Sequence, residues 1–472
     1  MITLALAVLL PGLLGGVVLR GAGVSSRLLW LGYGYVLGML SITVLIRWAD
    51  GLGVPLRFPL LAGLVGVLVI LGAWWGKSRV SGRFAVTILA GQPLWRKVLF
   101  GLLLAWVALR FYDLAFEIVE RPLYPWDAWT TWAVRAPVWF AFKSLIPFVD
   151  ASRWLNADPT HTVYTQDAWR YPPAIGLMQL WMALAYGRWD EAVNNLPWLF
   201  CAMTLGLAFY GQARLWTGRP LLSLVFTYLL LSMPLLDTHV ALAGYADLWM
   251  ATTYSLAAIA LLQWLRAQET GQGLLALVMG LACCLIKVEG VVWMMTLLPT
   301  ALFALTARRY RIGLAGAVIV LFVVWRQMGG FAIRLPGLGL LQVRPDLIQA
   351  PYLGIFNIAY QPVWEPFIQN LFVLGSWNLF WYLLIALQLV ALPKMFRDLR
   401  LLAYSGVVAS GLTLLFVLFC LTEAREWATK YTSINRLFLH ITPLLMFYAL
   451  ILFDALSRTD PDTSAASAPP PD

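Results

Sequence analysis

The amino-acid sequence predicts an all-α, polytopic membrane protein. Apolar residues make up 61% of the 472 positions and charged residues only 12%, whereas soluble domains carry about 25% charged residues. Apolar runs recur from one end of the chain to the other. Each is long enough to cross a hydrocarbon core of roughly 30 Å. The net charge of +10 follows from basic residues at helix ends and predicts no nucleic-acid partner.

We predict about thirteen transmembrane helices and, in the first long outer loop, juxtamembrane helices. A further apolar stretch, 172–187, is short and begins with two prolines. Most basic residues of the short loops fall on one side of the membrane only if this stretch does not cross. The predicted spans are 1–19, 28–46, 58–76, 95–112, 191–213, 220–237, 245–265, 272–287, 290–306, 312–326, 371–393, 401–421 and 436–455.

A strongly basic loop sets the orientation. The positive-inside rule assigns loop 77–97 to the cytoplasm, which puts the N-terminus outside and the C-terminus in the cytoplasm. Segments 113–190 and 327–370 then face outward, on the periplasmic or extracytoplasmic side of a bacterial inner membrane. The basic residues of this loop are Lys77, Arg79, Arg83, Arg96 and Lys97.

Ionisable residues gather at the predicted outer boundary of the membrane. Asp127 lies in RPLYPWDAWTTWAVRA, just after the fourth span, and Asp247 opens the seventh. Lys287 and Glu289 lie between the eighth and ninth spans. Ionisable groups bordering a bilayer indicate a functional site by default. For each residue alone, the alternative is a helix-ending acid or a lysine whose charge reaches the interface.

The order of four motifs resembles that of the C-type (GT-C) membrane glycosyltransferases. These motifs are the acid of the first outer loop, YPPAIGLMQLWMALAYGRWDEAVNNLPWLFCAM, GYADL and IKVEG, and together they cover roughly residues 95–310. The superfamily includes the aminoarabinose and protein mannosyl transferases, which use polyprenyl-phosphate sugars. The resemblance implies that Asp127 is catalytic and that Asp247 lines the same cavity, so both are predicted catalytic residues.

Substrate-binding residues are predicted around these acids. Cationic side chains bind phosphate strongly, and aromatic rings can form the walls of a sugar site. Glu289 and two tyrosines of the motifs complete the set. The predicted binding residues are Lys287, Glu289, Trp126, Trp129, Arg135, Tyr171, Tyr245 and Arg436.

The resemblance also divides the chain. Residues 1–94 hold three N-terminal transmembrane helices to which no role is assigned, and 95–326 form the catalytic transmembrane module, with outer loop 113–190. Residues 327–456 hold the second outer loop and the C-terminal helices. The polar, proline-rich residues 457–472 are predicted to be a disordered cytoplasmic tail.

No metal ligand and no cofactor is predicted. Many relatives carry two adjacent acids in the first outer loop, whereas Ala128 and Trp129 follow Asp127 here. A metal shared by two adjacent carboxylates is therefore not expected, and a divalent metal stays open only as an alternative. The four cysteines have no CxxC spacing, so they predict neither a disulfide framework nor a metal site.

The predicted function is an inverting glycosyl transfer. A monosaccharide would pass from a polyprenyl-phosphate donor to an envelope glycan, lipid or protein acceptor, within membrane lipids and on the outer face. One alternative is a transferase, ligase or polymerase that uses diphosphate-linked glycans. An outer loop rich in arginine would favour this alternative. Loop 327–370 has only Arg334 and Arg344. A second alternative is a transporter or flippase of lipid-linked sugars. Internal repeats and broken helices would favour this alternative.

Overall fold

The chain is an α-helical, multi-pass membrane protein. The computed structural model describes residues 1–24, 26–75, 89–336 and 339–458. Nine helices in these ranges are long and apolar enough to cross a membrane, or ten if one bent pair is a single span. The predicted class is therefore confirmed, whereas the predicted number of thirteen spans is not.

The structure has α-helices along the whole of the described ranges. They are α1 (Ile2–Gly21), α2 (Arg27–Gly51), α3 (Phe58–Trp75), α4 (Leu94–Glu120), α5 (Arg135–Phe142), α6 (Ala151–Leu155), α7 (Ala174–Tyr186), α8 (Glu191–Asn194), α9 (Leu196–Thr217), α10 (Pro220–Leu231), α11 (Pro234–Ala241), α12 (Asp247–Ala267), α13 (Thr270–Ala282), α14 (Gly290–Met295), α15 (Leu298–Leu305), α16 (Arg311–Gln327), α17 (Trp364–Ile368), α18 (Phe380–Arg397), α19 (Leu399–Leu421), α20 (Arg425–Thr429) and α21 (Ile434–Ser457).

Two small sheets accompany the helices. A parallel pair of two-residue strands lies in the first long loop, and a four-stranded antiparallel meander occupies much of 327–370, which the sequence analysis treated as a loop. The strands are β1 (Phe148–Val149), β2 (Tyr164–Thr165), β3 (Phe331–Leu335), β4 (Gly339–Val343), β5 (Leu347–Ala350) and β6 (Gly354–Asn357).

The predicted spans 272–287, 290–306 and 312–326 differ most from the structure. α13 ends at Ala282, and the stretch after Gly290 forms two short helices, α14 and α15. α15 has a proline in its first turn. Proline lacks the backbone N–H that would continue α14, so a new helix begins here. α16 has 17 residues. None of these four helices is among the nine candidate spans.

α7 packs against the N-terminal helices, chiefly α1 and α2, and against α5 and α8. α1 and α2 touch backbone to backbone, since a Cβ added to Gly15 would lie 1.9 Å from the carbonyl oxygen of Gly34. Close approach through glycine is a common way for membrane helices to pack. Trp181 of α7 is buried, and its indole nitrogen donates to the carbonyl of Ala7 at 2.9 Å. α7 has 13 residues, about 20 Å, so it is a buried helix rather than a span.

Each end of the helix bundle has its own group of paired charged side chains. Asp454 near the end of α21 is buried and lies 2.8 Å from Arg458 and 3.7 Å from Arg219. The candidate site lies at the opposite end, where α12 and α21 begin. Lys77, Arg79, Arg83 and most of the predicted disordered tail fall outside the described residues.

Candidate functional site

Asp247 is the centre of a buried charge cluster. It occupies the first turn of α12, where the helix dipole favours a carboxylate, and only 1% of its side chain is exposed. Its Oδ1 accepts from Nζ of Lys287 at 3.0 Å. Its Oδ2 accepts from Nη2 and Nε of Arg436 at 2.9 and 3.1 Å. A buried carboxylate with such partners is tightly held, since leaving it unpaired would be costly.

Arg436 connects this buried cluster to Asp127. Its Nη1 donates to Oδ2 of Asp127 at 2.6 Å. The Asp127 side chain is 38% exposed and that of Arg436 is 25% exposed. The two acids therefore share one guanidinium, and Asp127 is the member that reaches the opening of the site.

A close backbone contact brings Asp127 to α12. Gly244, three residues before Asp247, has φ +110, which residues with a side chain rarely adopt. A Cβ added there would meet Ala128 at 2.8 Å and Leu123 at 2.7 Å. Glycine at this position therefore allows the segment around Asp127 to lie directly against the start of α12.

A short irregular helix carries Asp127. Pro125 ends the extended segment, and its carbonyl accepts from the backbone N–H groups of Ala128 and Trp129. The following residues, Ala128–Trp132, form one π-helical turn, a geometry that occurs often at functional sites. Asp127 thus lies in the first helical turn after Pro125.

Lys287 and Glu289 lie at the tip of a tight reversal. A Cβ added to Gly290 would lie 2.0 Å from the carbonyl oxygen of Cys283, so glycine allows the chain to turn back here. Nζ of Lys287 approaches Asp247 and lies 5.6 Å from the ring centroid of Trp132. The side chain is only 7% exposed, which leaves little of this cation open to a ligand.

Tyr171 and Tyr245 line the same region. The Tyr171 hydroxyl donates to Oε1 of Glu289 at 3.0 Å, and burial together with this carboxylate raises the pKa of Tyr171. Oε2 of Glu289 is buried and has no hydrogen-bond partner. The ring of Tyr245 lies 4.7 Å from the guanidinium carbon of Arg436, a cation–π contact, and burial raises the pKa of Tyr245. Glu289 therefore offers one unused acceptor oxygen beside Tyr171.

The three tryptophans of RPLYPWDAWTTWAVRA divide into two groups. Trp126 and Trp129 are exposed and form an edge-to-face pair with ring centroids 5.0 Å apart. Trp132 is buried and packs against Tyr171, with ring centroids 4.9 Å apart. Of the three, only Trp132 belongs to the wall behind the ion cluster, and it is not one of the predicted binding residues.

Arg135 occupies a different place from the other predicted binding residues. Its guanidinium donates to the carbonyls of Tyr171, Ala168 and Trp169 at 2.8 to 3.0 Å. Burial lowers the pKa of Arg135 to about 10. These contacts fasten the loop before α7, so Arg135 holds Tyr171 in position and does not point a free cation at a ligand.

His440 belongs to the site although the sequence analysis did not single it out. Its Nε2 lies 2.9 Å from Oδ1 of Asp247, and it must donate, because a carboxylate only accepts. The side chain is fully buried against Trp293. His440 follows Arg436 by four positions on α21, a spacing that places both on one helix face. That spacing was the available signal.

Two shallow clefts lie along α4. The first lies between the segment Arg121–Pro125 and residues 241–243 at the end of α11. The second lies between α4 and the bend of α10 and α11. Arg110 and Asp237 form an ion pair in its wall. The first cleft therefore borders the segment that leads to Asp127, and the second holds an ion pair between α4 and α11.

The site combines a group that can act as a general base with a cation that can bind an anion. Asp127 is a partly exposed carboxylate, and Arg436 is a partly exposed cation that a second carboxylate holds in place. Within the described part of the chain, no three His, Cys, Asp or Glu side chains are grouped so that they could share a metal ion.

Comparisons of this chain with family profiles, with characterised proteins and with solved structures gave no match.

Proposed function

We propose that the chain is an inverting membrane glycosyltransferase of the C type. Its donor would be a polyprenyl-phosphate monosaccharide, and its acceptor would carry a hydroxyl group of an envelope glycan, lipid or protein. The observation that carries the proposal is the sharing of Arg436 by Asp127 and Asp247, which joins a carboxylate at the site opening to a fixed cation.

Each group has a role in the reaction. The acceptor oxygen attacks the anomeric carbon, the bond from that carbon to the phosphate oxygen breaks, and polyprenyl phosphate leaves with the electron pair. Asp127 takes the proton of the acceptor hydroxyl as general base. Arg436 binds the phosphate, because charge-assisted bonds from arginine to phosphate are strong. Attack opposite the leaving group inverts the anomeric carbon.

Asp247 acts by positioning. It is buried and accepts from Lys287, His440 and Arg436, so no oxygen of it is open to a substrate. We therefore propose that Asp247 orients Arg436 and does not act as a second catalytic residue. Lys287 adds positive charge behind Arg436 and keeps Asp247 paired.

The remaining residues support sugar and lipid binding. Glu289 is half-buried, and its Oε2 has no hydrogen-bond partner. This oxygen is itself buried, so it can accept from a sugar hydroxyl only after the side chain turns toward the opening. The exposed pair of Trp126 and Trp129 offers aromatic faces at the membrane boundary, where such rings are common. Sugar rings can stack on the same faces.

The test is release of polyprenyl phosphate from a defined donor. Purified protein in detergent or liposomes is incubated with a panel of polyprenyl-phosphate monosaccharides and an envelope extract, and the lipid products are separated by chromatography. Sugar transfer that Asp127→Asn abolishes supports the proposal. If every donor in the panel stays intact with the parent protein, the proposal is wrong.

One observation favours a transporter of lipid-linked sugars as the second candidate. α10 and α11 meet at a bend of 63°, and broken helices are typical of transporter sites. A transporter moves labelled lipid-linked sugar between leaflets without breaking the bond to phosphate. The same incubation therefore separates the two functions.

A further inference from the structure

Arg436 divides its donors between two unlike acids. Nε and Nη2 face Asp247, whose side chain is 1% exposed, and Nη1 faces Asp127, whose side chain is 38% exposed. The first edge is thus enclosed by protein, and the second is at the opening. Any anion that reaches Arg436 from outside must meet the Nη1 edge.

That edge is already in use. Nη1 lies 2.6 Å from Oδ2 of Asp127, a short, charge-assisted contact. Lys287 offers no substitute, because it is buried and paired with Asp247. A phosphate therefore cannot bind Arg436 at full strength while Asp127 stays where it is.

We propose that Asp127 occupies the anion-binding edge of Arg436 in the empty site and that the donor phosphate replaces it. This inference rests on the proposed function and adds an order to it. The phosphate takes Nη1, and Oδ2 of Asp127 is released toward the acceptor hydroxyl. Arrival of the donor thereby makes the general base available, and the base stays tied to Arg436 when no donor is present.

The exchange requires that only one acid can move. Asp247 accepts from Arg436, Lys287 and His440 together, so it keeps Arg436 in place during the exchange. Asp127 has Arg436 as its ion-pair partner and is carried by one irregular helical turn. The mobile partner is therefore the carboxylate at the opening.

The experiment measures the affinity of farnesyl phosphate in detergent micelles for four forms of the full chain. They are the parent, Asp127→Asn, Arg436→Lys and the double variant. Asp127→Asn should bind farnesyl phosphate about fivefold more tightly, since a competing, partly exposed ion pair is gone. Lysine keeps a cation beside Asp247 but has one nitrogen, so it cannot face both acids. In the Arg436→Lys background, Asp127→Asn should change the affinity by less than about twofold.

The controls separate exchange from simple charge repulsion. Asp113→Asn removes an exposed carboxylate from α4, away from the Arg436 contacts, and should leave the affinity unchanged. Inorganic phosphate should follow the same pattern more weakly, and farnesol should bind all forms alike, because it lacks the anion. Circular dichroism and gel filtration check that each variant is folded.

Two results would overturn the exchange. One is unchanged or weaker farnesyl phosphate binding by Asp127→Asn. The other is an equal gain in the Arg436→Lys background, which would mean that lost repulsion alone explains it. In either case the proposed glycosyltransferase function still holds if Asp127→Asn abolishes turnover. If Asp127→Asn transfers sugar at the parent rate, the proposed function fails whatever the binding shows.

Discussion

Asp127 and Arg436 are 309 positions apart in the chain, yet Oδ2 of the first lies 2.6 Å from Nη1 of the second. The contact joins the first long loop to the start of the last helix. Between these two residues the chain passes through several spans, so the contact depends on correct assembly of the whole bundle. The geometry around it leads to three predictions, and the charge distribution of the loops leads to a fourth.

The substitution Asp127→Asn should abolish sugar transfer. Asparagine keeps the size of the side chain but cannot take a proton, and loss of a general base typically lowers the rate by about 10²–10⁴-fold. Transfer from a labelled polyprenyl-phosphate donor measures the effect. Asp113→Asn, at an exposed carboxylate of α4, is the matched control and should keep the parent rate. Parent-level transfer by the Asp127 variant would place the base elsewhere.

The substitution Gly244→Ala should separate Asp127 from α12. The backbone at Gly244 has φ +110, and a Cβ would meet Ala128 and Leu123 at less than 3 Å, so either the backbone or the segment must shift. We expect a lower thermal unfolding midpoint and at least tenfold slower transfer. Gly187→Ala is the control, because Gly187 also has positive φ but no atom within 4 Å of an added Cβ. Equal loss of activity in both variants would mean that backbone strain alone matters.

The substitution Lys287→Met should destabilise the protein. Removing one member of a buried ion pair typically costs about 3–5 kcal/mol, and we expect the lower end because Asp247 keeps Arg436 and His440. Lys430 pairs with Glu426 at 3.7 Å with both side chains well exposed, so Lys430→Met should leave the unfolding midpoint nearly unchanged. Unfolding in detergent, followed by tryptophan fluorescence, gives both values. Equal unfolding midpoints for the two variants would contradict the prediction that the buried ion pair of Lys287 stabilises the fold more than the exposed pair of Lys430.

Cysteine labelling tests the orientation of the site. Asn156 lies in the first long loop and Glu269 follows the end of α12, and both are exposed. The positive-inside rule predicts that an impermeant thiol reagent added outside intact cells modifies the Asn156→Cys variant and spares Glu269→Cys. The parent chain is the control, because three of its four cysteines are buried and Cys284 is half-buried. The reverse pattern would place the site on the cytoplasmic side.

The hydrophobic pattern predicts the long helices well and the short ones poorly. Spans such as 28–46 and 436–455 lie within α2 and α21, because an apolar run of this length has few other stable conformations in a bilayer. The stretch from 272 to 326 was predicted as three spans. Its breaks depend on Gly290 and on a proline in the first turn of α15, which a count of apolar residues does not register.

The site was predictable as a set of residues but not as a set of contacts. Charge and motif order selected Asp127, Asp247, Lys287 and Arg436, and the structure brings these four together. The pairing pattern depends on tertiary packing. Burial of Lys287 and of the histidine four positions after Arg436 could not be deduced from one-dimensional spacing, because spacing gives a helix face and not its neighbours.

The packing of α7 against the N-terminal helices has a consequence for the order of assembly during synthesis. α1, α2 and α3 leave the ribosome first, so the surface that receives α7 exists before α7 is made. A helix of about 20 Å cannot hold itself across a bilayer, and its nearly continuous apolar residues would be exposed to water without that surface. Without α1, α2 and α3, part of the surface that covers α7 is missing next to the loop that carries Tyr171. A chain that starts at residue 89 should insert its remaining spans and still fail to build the site.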